Sequence, residues 1–161
     1  MTAGQGGLGG FGGGGGMNGI GEVGGLGGAG GFGGGSAVPS GGGGGAGFGG
    51  AVFLRAGTLH LSASAFVSNG VLQGASALGN AGLAKGGALF ALNQLTNANG
   101  NNQGMPAALP TVDGCANTFA TSVAADAGTS NSDNVDVFGA DRLGLTLGCD
   151  DRLFADGFDP P

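Results

Sequence analysis

The side chains that could do chemistry in this chain are few and widely spaced. They comprise one histidine, His60, two cysteines and ten acids, of which nine are aspartates between Asp113 and Asp159. Ser-His-acid catalysis would need His60, but this residue stands between two leucines in a stretch that alternates like a strand. The pattern predicts an ordinary solvent-facing strand residue. We therefore assign no catalytic residue and expect no enzymatic activity.

The acids that could gather at one site are Asp133 and Asp136 in "NSDNVDVF", and Asp150 and Asp151 after the second cysteine. Acidic loops of this kind can bind Ca²⁺ through oxygen ligands, and paired carboxylates serve polysaccharide-cleaving enzymes. Neither an EF-hand nor a nonapeptide calcium repeat is present. Solvated loop acids are favoured, so no metal and no cofactor are predicted.

The two cysteines, Cys115 and Cys149, form a disulfide or remain as two buried thiols. Zinc sites take more ligands at closer spacing, and the lone His60 is far away in the sequence. The Asp- and Asn-rich surroundings favour the disulfide, provided that the protein is exported.

Composition limits the partners. The only bases are Arg55, Lys85, Arg142 and Arg152, and the chain has no Trp or Tyr. This predicts no nucleic-acid partner and no stacking platform for bases or sugars. Neither a signal peptide nor a run of eighteen apolar residues is present, so no membrane span is expected.

Residues 1–48 are a low-complexity segment that holds most of the 44 glycines. The straightforward interpretation is a disordered loop. The alternative is a packed array of polyglycine II strands, which requires a repeat of three residues. We interpret the spacing of the apolar residues, from Leu8 and Phe11 to Leu26 and Phe32, as irregular. The segment is therefore expected to be irregular or mobile.

The pattern changes at Gly49, where "AVFLR" and "TLHLSASAF" alternate apolar and polar residues. The phrase "GGAVF" at 49–53 returns as "GGALF" at 86–90, which indicates stacked units that cannot bury an apolar face alone. We predict parallel strands within 50–67 and 86–93 in adjacent coils. The buried side chains are expected to include Val52, Leu54, Leu59, Leu61, Phe66 and Leu89.

Other segments are less regular. Residues 71–87 contain four internal glycines, which favours a loop or an insertion between coils over a helix. The orientation of Phe53 and Phe90 is left open, since either set of side chains in these strands could be buried. "LGLTLGC" at 143–149 alternates and predicts a strand.

The phrases "GGAVFLRAGTLHLSASAFVSNG" and "GGALFAL" resemble the repeat of polymorphic-outer-membrane-protein-type, autotransporter-like β-helices. The corresponding phrases in that repeat are "GTLTL" and "STFSGN", and "GTLHL" and "SAFVSN" match them here. The resemblance implies an all-β fold, namely a partial right-handed parallel β-helix with few coils, a long Gly-rich insertion and an irregular C-terminal cap. It also implies that Asn69 is a ladder asparagine, stacked on the same residue of the next coil.

The tail "CDDRLFADGFDPP" resembles a C-terminal "IFADGFE"-type segment of exported proteins in Xanthomonas-like bacteria. This implies a secreted or cell-surface protein and strengthens the expectation of the Cys115–Cys149 disulfide. We expect three regions: a Gly-rich head at 1–48, β-helix coils with an insertion at 49–110, and a C-terminal cap and tail at 111–161.

The function expected from these features is a non-enzymatic structural or adhesive module of an exported bacterial β-helix surface protein. We interpret the chain as a truncated C-terminal remnant. Its partners would be a host surface, a carbohydrate, or upstream coils of a longer parent chain. The alternatives are a fragment of a carbohydrate-active β-helix lyase or hydrolase, and a Gly-rich ice-binding or structural protein.

Overall fold

The computed structural model describes residues 4–18, 25–93 and 106–149, and these form two compact units. The first unit comprises the described residues up to 48 together with 71–84, 93 and 106–107. The second comprises 49–70, 85–92 and 108–149. Short strands make up most of the regular structure, and the described residues contain a single short helix of five residues.

The glycine-rich head forms two hairpins, at residues 4–18 and 25–38. Each hairpin turns at a Phe-Gly pair, and the turn glycines Gly12 and Gly33 have φ of 72° and 74°, which glycine adopts without steric cost. Hydrogen bonds close each hairpin behind its turn. The amides of Gly13, Gly16, Gly34 and Ala37 donate to the carbonyls of Gly10, Gly7, Gly31 and Gly28, respectively.

The two hairpins are joined by a ladder with a period of three residues. Every third amide of the first hairpin donates to the carbonyl 20 positions further along. The four bonds run from Gly6 to Leu26, Gly9 to Ala29, Gly12 to Phe32 and Gly15 to Gly35, with lengths of 2.9–3.0 Å. A period of three is that of an extended threefold helix of the polyglycine II type. The expectation of an irregular head is therefore wrong for these residues.

Close backbone contact explains why the array needs glycine. A Cβ atom at Gly15 would lie less than 3.0 Å from the backbone of Gly28, and one at Gly31 would lie equally close to Gly10. Most of the apolar side chains of the hairpins are separated by multiples of three residues along the chain, whereas the buried Asn18 departs from this spacing. The regularly spaced residues are Leu8, Phe11, Met17, Leu26, Ala29 and Phe32.

Two later segments extend this array. The amides of Gly43 and Ala46, just before β1 (Gly47–Phe48), donate to the carbonyls of Gly15 and Gly12. The segment 71–84 lies within the stretch 71–87 that was predicted to be a loop or an insertion. Its Gly74 amide donates to the Gly45 carbonyl, and the segment ends at β6 (Ala84–Lys85). Phe11, Phe32 and Phe48 pack together, with ring centroids 5.4–5.7 Å apart.

The second unit is built from short strands that follow one another in two rounds, and it ends in a helix. The first round is β2 (Val52–Leu54), β3 (Thr58–Ser62), β4 (Ala65–Val67) and β5 (Gly70–Val71). The second is β7 (Leu89–Ala91), β8 (Thr111–Cys115), β9 (Thr118–Ala120) and β10 (Val123–Ala124). β11 (Val137–Phe138) and α1 (Arg142–Thr146) complete the unit.

Strands of the two rounds pair in parallel and in chain order. β7 lies between β2 and β11, with Leu89 in register with both Val52 and Val137. β3 pairs with β8 and β4 pairs with β9, each at an offset of 53 residues, as in Thr58 with Thr111. The predicted parallel pairing of the two "GGA" segments is thus confirmed.

The core lies between these strand pairs and below α1. Its buried members are Leu61, Ala88, Leu89, Phe119, Val137, Ala140 and Leu145. Of the residues predicted to be buried, Leu61 and Leu89 are buried, whereas Val52, Leu59 and Phe66 pack against the core while partly exposed. Leu54 is half-buried.

The phenylalanines left open by the sequence form a ladder of their own. Phe90 stacks between Phe53 and Phe138, at centroid distances of 5.5 and 4.8 Å. Phe90 and Phe138 are buried, whereas Phe53 is 45 % exposed. The repeated aromatic position therefore has a third member, in "DVF" at 136–138.

The strand predicted at 143–149 is wrong, because residues 142–146 form α1. A strand would have placed Leu143, Leu145 and Leu147 on one face, but the core accepts a single leucine here. Leu145 is 1 % exposed, while Leu143 and Leu147 remain 52 % and 39 % exposed. One helical turn therefore buries Leu145 in the core and leaves Leu143 and Leu147 outside it.

The array predicts that Gly31→Ala and Gly10→Ala differ sharply. A methyl group at Gly31 meets the Gly10 backbone, whereas one at Gly10 has nothing within 4 Å. We expect Gly31→Ala to lower the free energy of unfolding by about 1–3 kcal/mol, and Gly10→Ala to change it by less than about 1 kcal/mol. Denaturant unfolding followed by circular dichroism measures both values.

Hydrogen exchange provides the local control for this comparison. In the wild type and in Gly10→Ala, the amides of Gly9, Gly12 and Gly15 should exchange slowly, because each is bonded in the array. In Gly31→Ala they should exchange faster. Complete exchange in the wild type at the earliest time, or equal losses in the two variants, would contradict the packed array.

Candidate functional site

The outer face of β3 and β8 carries polar side chains in register. The Thr111 hydroxyl lies 3.0 Å from that of Thr58, and the carboxylate of Asp113 is hydrogen-bonded to Nδ1 of His60. The His60 and Asp113 side chains are 67 % and 53 % exposed, so the pair is solvated and contributes little stability. His60 therefore faces solvent as predicted. Its partner was not predicted, because the short match of "SASAF" with "CANTF", which also aligns residue 60 with residue 113, is too weak to reveal the pairing.

The neighbouring face, on β4 and β9, is smaller and less polar. Ala65, Val67, Thr118 and Ala120 are exposed on it. At its end the hydroxyls of Ser68 and Thr121 lie 2.9 Å apart. Beneath it Phe66 and Phe119 stack with centroids 5.0 Å apart. The two outer faces thus present mainly hydroxyl, methyl and short side chains.

A polar pocket of about 310 Å³ opens beside the last strand. Its walls are formed by Thr129, Ser130, Asn131, Asn134, Val135, Asp136 and Arg142. Arg142 donates from Nε to Asp136 at 2.6 Å and lies over the Phe119 ring at 5.8 Å. The pocket therefore offers hydroxyl and amide groups around a fixed ion pair.

The two loop acids at this end are paired rather than solvated, which corrects the expectation for Asp133 and Asp136. Asp133 accepts a bond from Lys85 Nζ at 2.7 Å and another from the Gly128 amide at 3.1 Å. Asp136 is 5 % exposed and is balanced by Arg142. Each carboxylate therefore links its loop to another element by an ion pair, Asp133 to β6 and Asp136 to α1. Asp150 and Asp151 lie outside the described residues.

Asn117 is a buried polar residue that the sequence analysis did not single out. Its side-chain amide donates to the carbonyls of Leu61 and Leu145, both at 3.0 Å, and its oxygen accepts from the Ser64 amide. One side chain thereby joins the first round of strands to the second and to α1. The available signal was the alignment of "SASAF" with "CANTF", which places Ser64 opposite Asn117.

The role of Asn69 as a ladder asparagine remains a prediction. Ser68 bonds with Thr121, so the residue beside Asn69 in the next round is Ser122, not asparagine. Asn69 is half-buried, and its carbonyl accepts from the Val123 amide at 2.9 Å.

Cys115 and Cys149 form a disulfide, as predicted, with Cα atoms 5.0 Å apart. Cys115 ends β8, and Cys149 follows α1. The bond therefore ties the end of the described chain to β8. Neighbouring hydrogen bonds follow the same path, since the Ala116 amide donates to Leu147 and the Asn117 amide donates to Leu145.

Metal ligands are not gathered in the described part of the chain, where no group of three or more His, Cys, Asp or Glu side chains is placed to hold an ion. Across residues 4–18, 25–93 and 106–149, no helix has the length and apolar character needed to cross a membrane. No family model, curated protein or solved structure matches the chain.

Removal of the Asn117 amide should destabilise the second unit. Asn117→Ala leaves the Ser64 amide and the carbonyls of Leu61 and Leu145 without this partner. We expect the free energy of unfolding to fall by about 1–3 kcal/mol. Asn69→Ala is the control, with an expected loss below about 1 kcal/mol. Equal losses in denaturant unfolding would contradict the central role of Asn117.

Loss of the disulfide should be costly as well. The double variant Cys115→Ala/Cys149→Ala should lose about 3–4 kcal/mol of unfolding free energy, because the cross-link restricts the unfolded chain. Reduced wild-type protein should match the variant. Alkylation and mass spectrometry of protein purified from an oxidising compartment should find neither cysteine modified. Two alkylated cysteines in that sample would refute the bond.

Proposed function

We propose that the chain is a non-enzymatic structural and adhesive module of an exported bacterial surface protein. In this proposal the second unit is a partial right-handed parallel β-helix, and the polyglycine array is an excursion from it. The observation that carries the proposal is the order of pairing. β2, β3 and β4 meet β7, β8 and β9 in the same sequence along the chain, as successive coils would.

The disulfide and the surface chemistry support export and adhesion. Disulfides persist in oxidising compartments, and Cys115–Cys149 is one. The exposed threonines, serines and alanines of β3, β4, β8 and β9 form a regular face suited to many weak contacts. Asp133 and Asp136, the acids that a polysaccharide-cleaving enzyme would use, are each bound to a basic side chain.

The test is binding of the purified chain to immobilised polysaccharides and to whole cells. The double variant Thr58→Glu/Thr111→Glu places like charges on the outer face of β3 and β8, where both hydroxyls are exposed. We expect binding to fall at least about tenfold, because like charges and lost hydroxyl contacts oppose an apolar or hydroxyl-rich partner. Leu72→Glu/Leu78→Glu adds the same two charges at exposed positions outside these strand faces, so it is the matched control and should bind normally.

Two results would contradict the proposal. One is wild-type binding no greater than that of an unrelated acidic protein. The other is cleavage of a polysaccharide that disappears in Asp136→Asn, which would favour the carbohydrate-active enzyme instead.

A second candidate, a Gly-rich ice-binding or structural protein, is favoured by one observation. The head carries its side chains at a regular spacing of three residues, and Leu8 and Leu26 point outward at 65 % and 68 % exposure. Such spacing can present an ordered surface. Thermal hysteresis of the wild type, abolished by Leu8→Lys, would favour ice binding over adhesion. Freezing behaviour equal to that of a buffer control would exclude it.

A further inference from the structure

One edge of the second unit has backbone groups that no described strand satisfies. In a parallel ladder, alternate residues direct both backbone groups to the same neighbour. The Thr111 amide donates to the Gly57 carbonyl at 3.0 Å, and the Ala63 amide donates to the Cys115 carbonyl at 3.1 Å. The odd-numbered residues of β3 therefore face β8. The amides and carbonyls of Thr58 and His60 point to the opposite edge.

The same argument applies to β4. Thr118 donates to the Ser64 carbonyl and Ser68 donates to the Ala120 carbonyl, both at 2.9 Å. Ala65 and Val67 therefore direct their backbone groups away from β9. Both side chains are exposed, and Val67 is 60 % exposed. Within residues 4–18, 25–93 and 106–149, no strand pairs with this edge of β3 or β4.

The far end of the unit is closed. α1 packs on β8, and the amides of Ala116 and Asn117 donate to carbonyls of Leu147 and Leu145. Leu145 is 1 % exposed. A second copy could not add to this end without displacing the helix. Stacking of β3 of one copy on β8 of another is therefore blocked, which leaves the open edge of β3 and β4 to pair with the same edge of a second copy.

The open edge consists of short strands, of five and three residues, but it carries no lysine or proline that would oppose strand pairing. Natural edges carry lysine, proline or a bulge. Residues 49–72 contain none of the lysines or prolines, and Arg55 is their only formal charge. The chain has a net charge of −6, yet apart from Glu22 its acids begin at Asp113. The acid in register with this edge, Asp113 of β8, is hydrogen-bonded to His60, so pairing of two edges sets no unpartnered carboxylate of β3 or β8 against another.

We propose that the chain forms a two-fold dimer in which the β3–β4 edges of two copies pair antiparallel. The pairing satisfies the outward backbone groups of Thr58, His60, Ala65 and Val67. It also covers Leu59 and Phe66, which are only partly buried at this end. A two-fold axis makes the contact self-complementary and closed. The inference rests on the strand register and does not depend on the proposed adhesive role.

The test compares two lysine variants by sedimentation analysis of the full chain. Val67 and Ala120 are register partners on the same exposed face, one strand apart. Val67→Lys places a cation in the joined edge of each copy, whereas Ala120→Lys places it one strand away. The wild type and Ala120→Lys should be dimers. The dissociation constant of Val67→Lys should rise at least about tenfold, because a charged lysine within an edge strand opposes pairing with another strand.

Circular dichroism and hydrogen exchange make the result decisive. Should Val67→Lys melt at a lower temperature than the wild type, Ala65→Lys provides the same comparison at another exposed site. In the wild-type dimer the amides of Thr58, His60, Ala65 and Val67 should be protected. A wild-type monomer at all soluble concentrations overturns the proposal and favours a coil of a longer chain as the occupant. A dimer that withstands both edge variants overturns it too.

Discussion

The second unit depends on one strand, β7, that is hydrogen-bonded on both edges and buried on both faces. Leu89 lies in register between Val52 and Val137 inside the core, and Phe90 is stacked on the other face between two phenylalanines. Every residue from Ala88 to Leu92 is buried. A strand enclosed in this way leaves its neighbours little freedom of register, because a slip by one residue would exchange the leucine and phenylalanine faces.

The parts of the fold that could be predicted were those encoded by a repeated sequence motif. "GGAVF" and "GGALF" predicted the parallel pairing of β2 and β7, and the structure has that pairing. The pairing of β3 with β8 was hidden, because only three positions between Thr58 and Val71 match their partners 53 residues on. The array in the head was missed for a different reason. The apolar residues between Leu8 and Phe32 are separated by multiples of three, but glycine stands in place of a side chain at position 14, and this gap made the repeat of three look irregular.

The candidate site was less predictable than the fold, because its groups meet across long separations. Lys85 reaches Asp133 from 48 residues away, and His60 reaches Asp113 from 53 residues away. Sequence spacing suggested solvated acids, since it does not reveal which base approaches them. The disulfide was predictable, because Cys115 and Cys149 had no other cysteine to pair with. Asn117 forms its hydrogen bonds because it is buried between the two rounds of strands. No local sequence pattern predicts that burial.

The position of the disulfide sets how the unit would carry a mechanical load. Tension applied at the C-terminal side of Cys149 passes through the sulfur atoms to Cys115, the last residue of β8. The chain between the two cysteines, with β9, β10, β11 and α1, forms a covalent loop that bears none of that tension. The last strands and the helix therefore cannot be peeled off one by one from that end. The pull falls instead on the ladder between β8 and β3, whose parallel hydrogen bonds would share the load in shear.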